Sequence, residues 1–305
     1  MSDIREAAVA GSFYPSSPQH LKSDIVSFLD SIALVDPPED LIALIVPHAD
    51  YVYSGRVAAH AYRLLKSRFL DTIILLGPNH QALGFKGISV YSKGAFKTPL
   101  GLMKIDEVFS EQILSLDPEA KFNREAHARE HSLEVQIPFL QILAPQAKIV
   151  PIVMADDRKV TCKRLSRALV QAIRSRKDER ILLIASSDLS HYHPYDEAVK
   201  LDKTVIKDIE ALDHEQLYHN VVVKKRAELC GFGPVLTALM VSCGLGANWV
   251  KTLGYANSGD ITKDRMNVVG YVSVGIFKKA LKEEKIFKEM EEAYLQEKEA
   301  LYGLA

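Results

Sequence analysis

The sequence predicts an α/β chain: a three-layer αβα arrangement around a mostly parallel mixed sheet. Three observations predict it. Short apolar runs at 41–46, 72–76, 148–154, 181–185 and 268–277 are nearly continuous rather than alternating, as suits strands buried on both faces. Helix-period stretches at about 18–33, 55–68, 106–116, 132–143, 161–176, 196–212 and 233–243 separate them. That alternation is the pattern of parallel strands covered by helices on both sides. Gly87–Ser92 reads as an additional strand outside the alternation, and Gly101–Ile105 is expected to pair with it.

Composition bounds the rest. The chain has 305 residues, 48% apolar and 25% charged, with a net charge of -1. No repeat or low-complexity tract divides it, so it is expected to form one domain over 1–305, with Pro37–Pro38 the one candidate break. The Lys- and Glu-rich segment at about 278–302 carries Phe287, Met290, Tyr294 and Leu301 near helical spacing, which predicts an amphipathic C-terminal helix. The near-neutral charge points away from nucleic acid and membrane surfaces. No run approaches the roughly 18 apolar residues of a membrane span. The N-terminus lacks a basic segment followed by an apolar core, so a cytoplasmic location is expected. Three cysteines, Cys162, Cys230 and Cys243, do not make a disulfide framework.

In open parallel sheets, ligands bind beyond the carboxyl ends of the strands. Here strand 41–46 is followed by Pro47-His48-Ala49-Asp50, strand 72–76 by Gly77-Pro78-Asn79-His80, strand 148–154 by Ala155-Asp156-Asp157, and strand 181–185 by Ser186-Ser187-Asp188-Leu189-Ser190-His191. Histidine is the commonest metal ligand near neutral pH. Two histidines, one anionic ligand and open positions describe a metal that binds substrate or oxygen. His48 and His80 are the expected pair, with Asp188 or a thiolate as the third ligand. Cys230 stands at a Gly-rich turn opening a helix, where a thiolate is expected to be favoured. His191 suits general acid/base work beside the metal. Glu130 and His131 are candidates to reach the same pocket. His127 and His131 have i,i+4 spacing but not the zincin order. His193 reads as a loop residue. His20, His60, His214 and His219 read as helix-surface residues, and Cys162 and Cys243 as filler.

Arg5–Pro15, Pro47–Gly55, Leu76–His80, Glu130–Glu134, Ser186–His191 and Leu229–Gly231, in this order, resemble the Memo-like family, whose prokaryotic members are called AmmeMemoRadiSam system protein B. The resemblance runs from about 5 to 277 and implies a fold similar to class III extradiol dioxygenases, non-heme iron enzymes that open catechol rings. It implies a metal site of His48, His80 and Cys230 holding Fe(II), copper or zinc. His191 takes the position of the dioxygenases' catalytic histidine, with Asp188 orienting it. Cys230 stands where those enzymes carry glutamate, and a thiolate favours softer metals. Asp50 stands where the family usually has glycine. The expected function is a metal-binding protein with a non-heme dioxygenase-like site, acting as a metal-dependent redox enzyme on a small molecule and associated with a radical-SAM partner. The alternative is a non-catalytic module that recognises a peptide or tyrosine side chain, as the family's eukaryotic link to receptor-driven motility implies. A metal carrier is a third reading.

Overall fold

The computed structural model describes residues 3–33 and 40–279. Pro37–Pro38 and the segment expected to form the C-terminal helix beyond 279 lie outside the described residues.

Among the described residues, twelve strands form two sheets: β1 (Ile4–Arg5), β2 (Asp40–Val46), β3 (Thr72–Pro78), β4 (Ile88–Val90), β5 (Ala95–Thr98), β6 (Gly101–Lys104), β7 (Ala120–Lys121), β8 (Lys148–Met154), β9 (Ile181–Ser186), β10 (His191–His193), β11 (Trp249–Asn257) and β12 (Val268–Lys278). The larger sheet has the order β10-β12-β2-β9-β3-β8-β4-β7, with β11 also paired to β12. Its centre, β2-β9-β3-β8, is parallel throughout. Antiparallel β12 and β4 flank that centre.

The near-continuous apolar runs are the parallel strands, and alternation along them sorts side chains into two cores. Leu44, Val46, Ile73, Leu75, Leu182 and Ile184 belong to one cluster, closed by Leu21, Ile25 and Leu29 of the Pro18–Asp30 helix and by the Ile137–Leu143 helix. Ala43, Ile45, Ile74, Leu76, Leu183 and Ala185 belong to the other, closed by helices Glu107–Leu116, Lys159–Ser175, Tyr195–Glu210 and Phe232–Leu245. This is the expected three-layer arrangement, with each strand buried on both faces.

Three expectations are corrected. Gly101–Lys104 does not pair with Ile88–Val90; it pairs with Ala95–Thr98 in a separate three-stranded sheet that includes β1. The stretch 132–143 is not one helix. It breaks into His131–Glu134 and Ile137–Leu143, with Pro138 in the first turn of the second, where its missing N–H costs nothing. The stretch 55–68 divides as well, into a π-helical turn Tyr51–Gly55, a helix Arg56–Tyr62 and a 3-10 turn Arg63–Leu65.

His127 lies in the Arg124–Ala128 helix, separate from that of His131, so the i,i+4 pair does not form. Its ring packs against Tyr91 and Phe96, and Nε2 sits 3.0 Å from the Ser89 hydroxyl. Burial lowers its pKa from 6.5 to about 3. The unfolded chain takes up this proton below about pH 6.5 while the folded one does not until about 3. Stability is therefore complete above that window and falls through it as the pH drops. Urea unfolding at pH 7 and pH 5 is expected to give a lower midpoint at pH 5, with a smaller drop in His127→Leu.

Candidate metal centre

The polar residues after β2, β3 and β9 converge at one edge of the sheet. His48 is 2% exposed. Its Nε2 lies 3.0 Å from Cys230 Sγ and its Nδ1 3.0 Å from Ser186 Oγ. The Ser186 hydroxyl gives its single proton to the Ser132 carbonyl at 2.7 Å and accepts from Gln136 Nε2 at 2.8 Å. It therefore accepts from His48 Nδ1–H, which fixes the tautomer and leaves the Nε2 lone pair for Cys230 or an ion. Burial, then His80, His131 and His191, hold the His48 pKa well below its ordinary value, so the ring is neutral.

His80 is held in the same manner. Its Nδ1 meets Glu130 Oε1 at 2.9 Å and its backbone N–H donates to Glu130 Oε2 at 2.6 Å. Glu130 is buried, but the His80 and Ser132 hydrogen bonds outweigh that burial and pull its carboxyl down to about 2. Gly77 permits this arrangement: a Cβ there would lie 2.4 Å from Ser132 Oγ, so only glycine lets the end of β3 approach the His131–Glu134 helix so closely. The His131 ring stacks on His80 with centroids 4.5 Å apart, and burial lowers its pKa to about 4. Phe13 covers its other side at 4.7 Å.

Cys230 arrives from the loop before the Phe232–Leu245 helix. Its backbone N–H donates to the Asp188 carbonyl, and the Asp188 N–H donates to Sγ at 3.2 Å. Gly231 makes the approach possible, since a Cβ would lie 2.4 Å from the Ser186 carbonyl oxygen. The expectation that the helix N-terminus favours thiolate is not met. Burial, then the Asp188 carboxylate, push the thiol well above its ordinary range. A divalent cation bound to sulfur would displace that proton.

The Asp188 carboxylate accepts from the His48 and Ala49 N–H groups at 2.8 and 3.3 Å. Burial pushes it up to about 7 against the pull of those donors. The Nδ1–H of neighbouring His191 donates to the Leu189 carbonyl at 2.8 Å, leaving Nε2 as a proton acceptor. Asp156, at the exit of β8, is instead engaged by Arg158. His193 meets Glu228 and Glu197. His60 packs against Gly254. Cys162 is buried and Cys243 exposed.

One ligand atom each from His48, His80 and Cys230 lie within 4.8 Å of one another. The triples His80, Glu130, His131 and Asp188, His191, Cys230 meet the same limit. The three lie beside a cavity of about 590 Å³ that His48, His80, His131, Asp188 and His191 line. Gln136 escapes a reading of strand exits because it acts behind the ligand candidates; Ser186 stands on a strand exit without being singled out, and Glu130 and His131 carry a signal in their chain adjacency.

The family model described as Memo-like protein matches residues 5–275. The chain belongs to the Memo-like family. Curated relatives agree. A MEMO1 family protein of Methanocaldococcus jannaschii is 42% identical over 287 residues, covering 90% of this chain and 99% of its own. One of Sulfolobus acidocaldarius is 41% identical over 283 residues, covering 89% and 98%. One of Methanobrevibacter smithii is 39% identical over 285 residues, covering 90% and 100%. A solved structure of an uncharacterised Escherichia coli K12 protein, JW3007, aligns over 77% of this chain and 99% of its own, with TM-score 0.47 and 16% identity. Among its described residues, the Memo-like chain has no helix long and apolar enough to cross a membrane.

Proposed function

We propose that this Memo-like protein binds one divalent metal through His48, His80 and Cys230 and uses it in dioxygenase-like redox chemistry on a small molecule. The supporting observation is the convergence of three donor atoms from three distant chain segments to within 4.8 Å, with both imidazoles tethered through Nδ1. The donor set fits a transition ion: two imidazoles and one soft sulfur suit Fe(II), copper or zinc; zinc is redox-inert, and Fe(II) is the choice that matches the dioxygenase-like reading. When bound, the ion would supply a Lewis-acidic, redox-capable centre open to the cavity.

The protein's own residues do the rest. Ser186 and Glu130 hold the two rings in the tautomer that presents Nε2. His191, neutral because burial lowers its pKa, accepts a proton from a bound substrate at Nε2. Asp188 fixes the His48–Ala49 backbone, and Phe13 and Tyr271 give the cavity an apolar wall.

The test is oxygen uptake by protein loaded separately with Fe(II), copper and zinc under argon, against a panel of phenols and catechols. Fe(II)-loaded protein is expected to exceed background. His191→Gln is expected to lower kcat about 10²- to 10⁴-fold with unchanged metal content. Background uptake with every ion would overturn the redox reading. The exposed ring of Tyr192, 72% accessible beside His191 on the cavity wall, supports the second reading, a peptide-binding pocket. That reading requires peptide binding to survive metal removal.

A further inference from the structure

We infer that Asp50 makes the cavity selective for cationic ligands, specifically small aromatic amines carrying a protonated nitrogen. The inference rests on the cavity being the functional site proposed above and adds the class of molecule that fills it.

The charge of the lining carries the argument. Three carboxylates line the cavity, those of Asp50, Asp188 and Asp264, and no lysine or arginine does. The three are not equivalent. Asp188 is occupied by the His48 and Ala49 N–H groups. Asp264 lies exposed and accepts from the Met266 N–H. Asp50 is half-buried, and its carboxylate is met only by its own backbone N–H, with no ion pair among the described residues. An ion held by His48, His80 and Cys230 would be balanced by the Cys230 thiolate and by the Asp188 carboxylate, which lies within 4.8 Å of that sulfur, so the charge of Asp50 is left without a partner. A half-buried carboxylate lacking a cationic partner favours a bound cation and disfavours a bound anion.

The apolar part of the wall sets the rest of the ligand. Phe13, Tyr53 and Tyr271 line the same cavity as Asp50. Aromatic faces attract an ammonium group and pack a ring. Asp50 also opens the π-helical turn Tyr51–Gly55, which carries Tyr53, so the anion and one ring are set by a single short segment. Carboxylate- and phosphate-bearing substrates are disfavoured by the same geometry.

The experiment compares tyramine with 4-hydroxyphenylacetate, which share a ring and differ in the sign of their charge, and neither of which is a catechol chelator. Binding is measured by calorimetry on the full chain, with metal content and melting transition recorded on the same samples. Tyramine is expected to bind at least about ten-fold more tightly, one good charge-assisted contact. Asp50→Asn and Asp50→Gly are expected to erase that preference while retaining the wild-type melting transition and metal content. Equal binding of the two probes, no binding of either, or a preference unchanged in both variants would overturn the inference. Failure of the metal reading appears separately, as absence of metal in the wild type with the charge preference intact.

Discussion

Cys230→Ser is expected to weaken divalent metal binding by about 100-fold or more while leaving the fold intact. The estimate rests on comparison with groups farther out: losing a residue that only orients a metal-bound histidine costs about 10- to 100-fold, and the sulfur here is proposed as a direct ligand. Serine keeps the size of the side chain, and the Asp188 N–H that reaches Sγ at 3.2 Å can donate to a hydroxyl instead. Packing is therefore nearly conserved, and what is lost is a donor that becomes anionic on binding the ion. The loss is expected to be steeper for copper and zinc than for iron, since thiolate favours the softer ions. Competition titration against a chelator of known affinity measures it. Wild-type affinity in Cys230→Ser, with all three ions, would remove sulfur from the site.

Arg5→Ala is expected to cost about 3–5 kcal/mol of stability, because it strands a buried carboxylate. Glu134 has no solvent-accessible side-chain surface, and its Arg5 partner is 2% exposed. Glu134 accepts from Arg5 Nη1, from the Ala8 N–H at 2.8 Å, from the Val9 N–H at 3.0 Å and from the Tyr14 hydroxyl at 2.5 Å. Removal of the guanidinium leaves the charge with three neutral donors in a medium where charge is expensive. Arg5 also donates to the His127 and Glu130 carbonyls at 3.0 and 2.7 Å. The damage therefore reaches the backbone of the residue that tethers His80. Chemical denaturation measures the loss, and the N-terminal segment that carries Phe13 over His131 is expected to become protease-sensitive first. A change below about 1 kcal/mol would show that the pair is not what anchors that segment.

What was legible in the sequence follows physical lines. The four central strands were readable because a strand buried on both faces must be apolar almost throughout, as Thr72–Pro78 is. Trp249–Asn257 was not: half-buried along nearly its whole length, it includes Lys251, Thr252 and Gly254 and shows neither a continuous run nor clean alternation. The pairing of Gly101–Lys104 was misjudged because a four-residue hairpin partner is chosen by the turn between Thr98 and Gly101, not by apolar pattern.

The candidate site divides in the same way. His48 and His80 follow parallel strands directly, so the topology of the sheet alone places them together. Cys230 lies 182 residues from His48 on no strand exit; its Gly-rich turn made it a candidate beside Asp188, and the resemblance to the Memo-like family chose it as the third ligand. Its thiol chemistry was misread because a turn that opens a helix looks electropositive in sequence, whereas the fold buries it against Asp188. Glu130 and His131 are legible in the sequence as candidates and no more, because their approach depends on Gly77 fitting against Ser132, a steric match that spacing does not encode.

X-ray absorption spectroscopy at the metal edge of reconstituted protein tests the central claim most directly. The account predicts two imidazole nitrogens and one sulfur, the sulfur at about 2.3 Å if zinc is used, with that sulfur absent in Cys230→Ser. A spectrum of wild-type protein with nitrogen and oxygen scatterers only would contradict it.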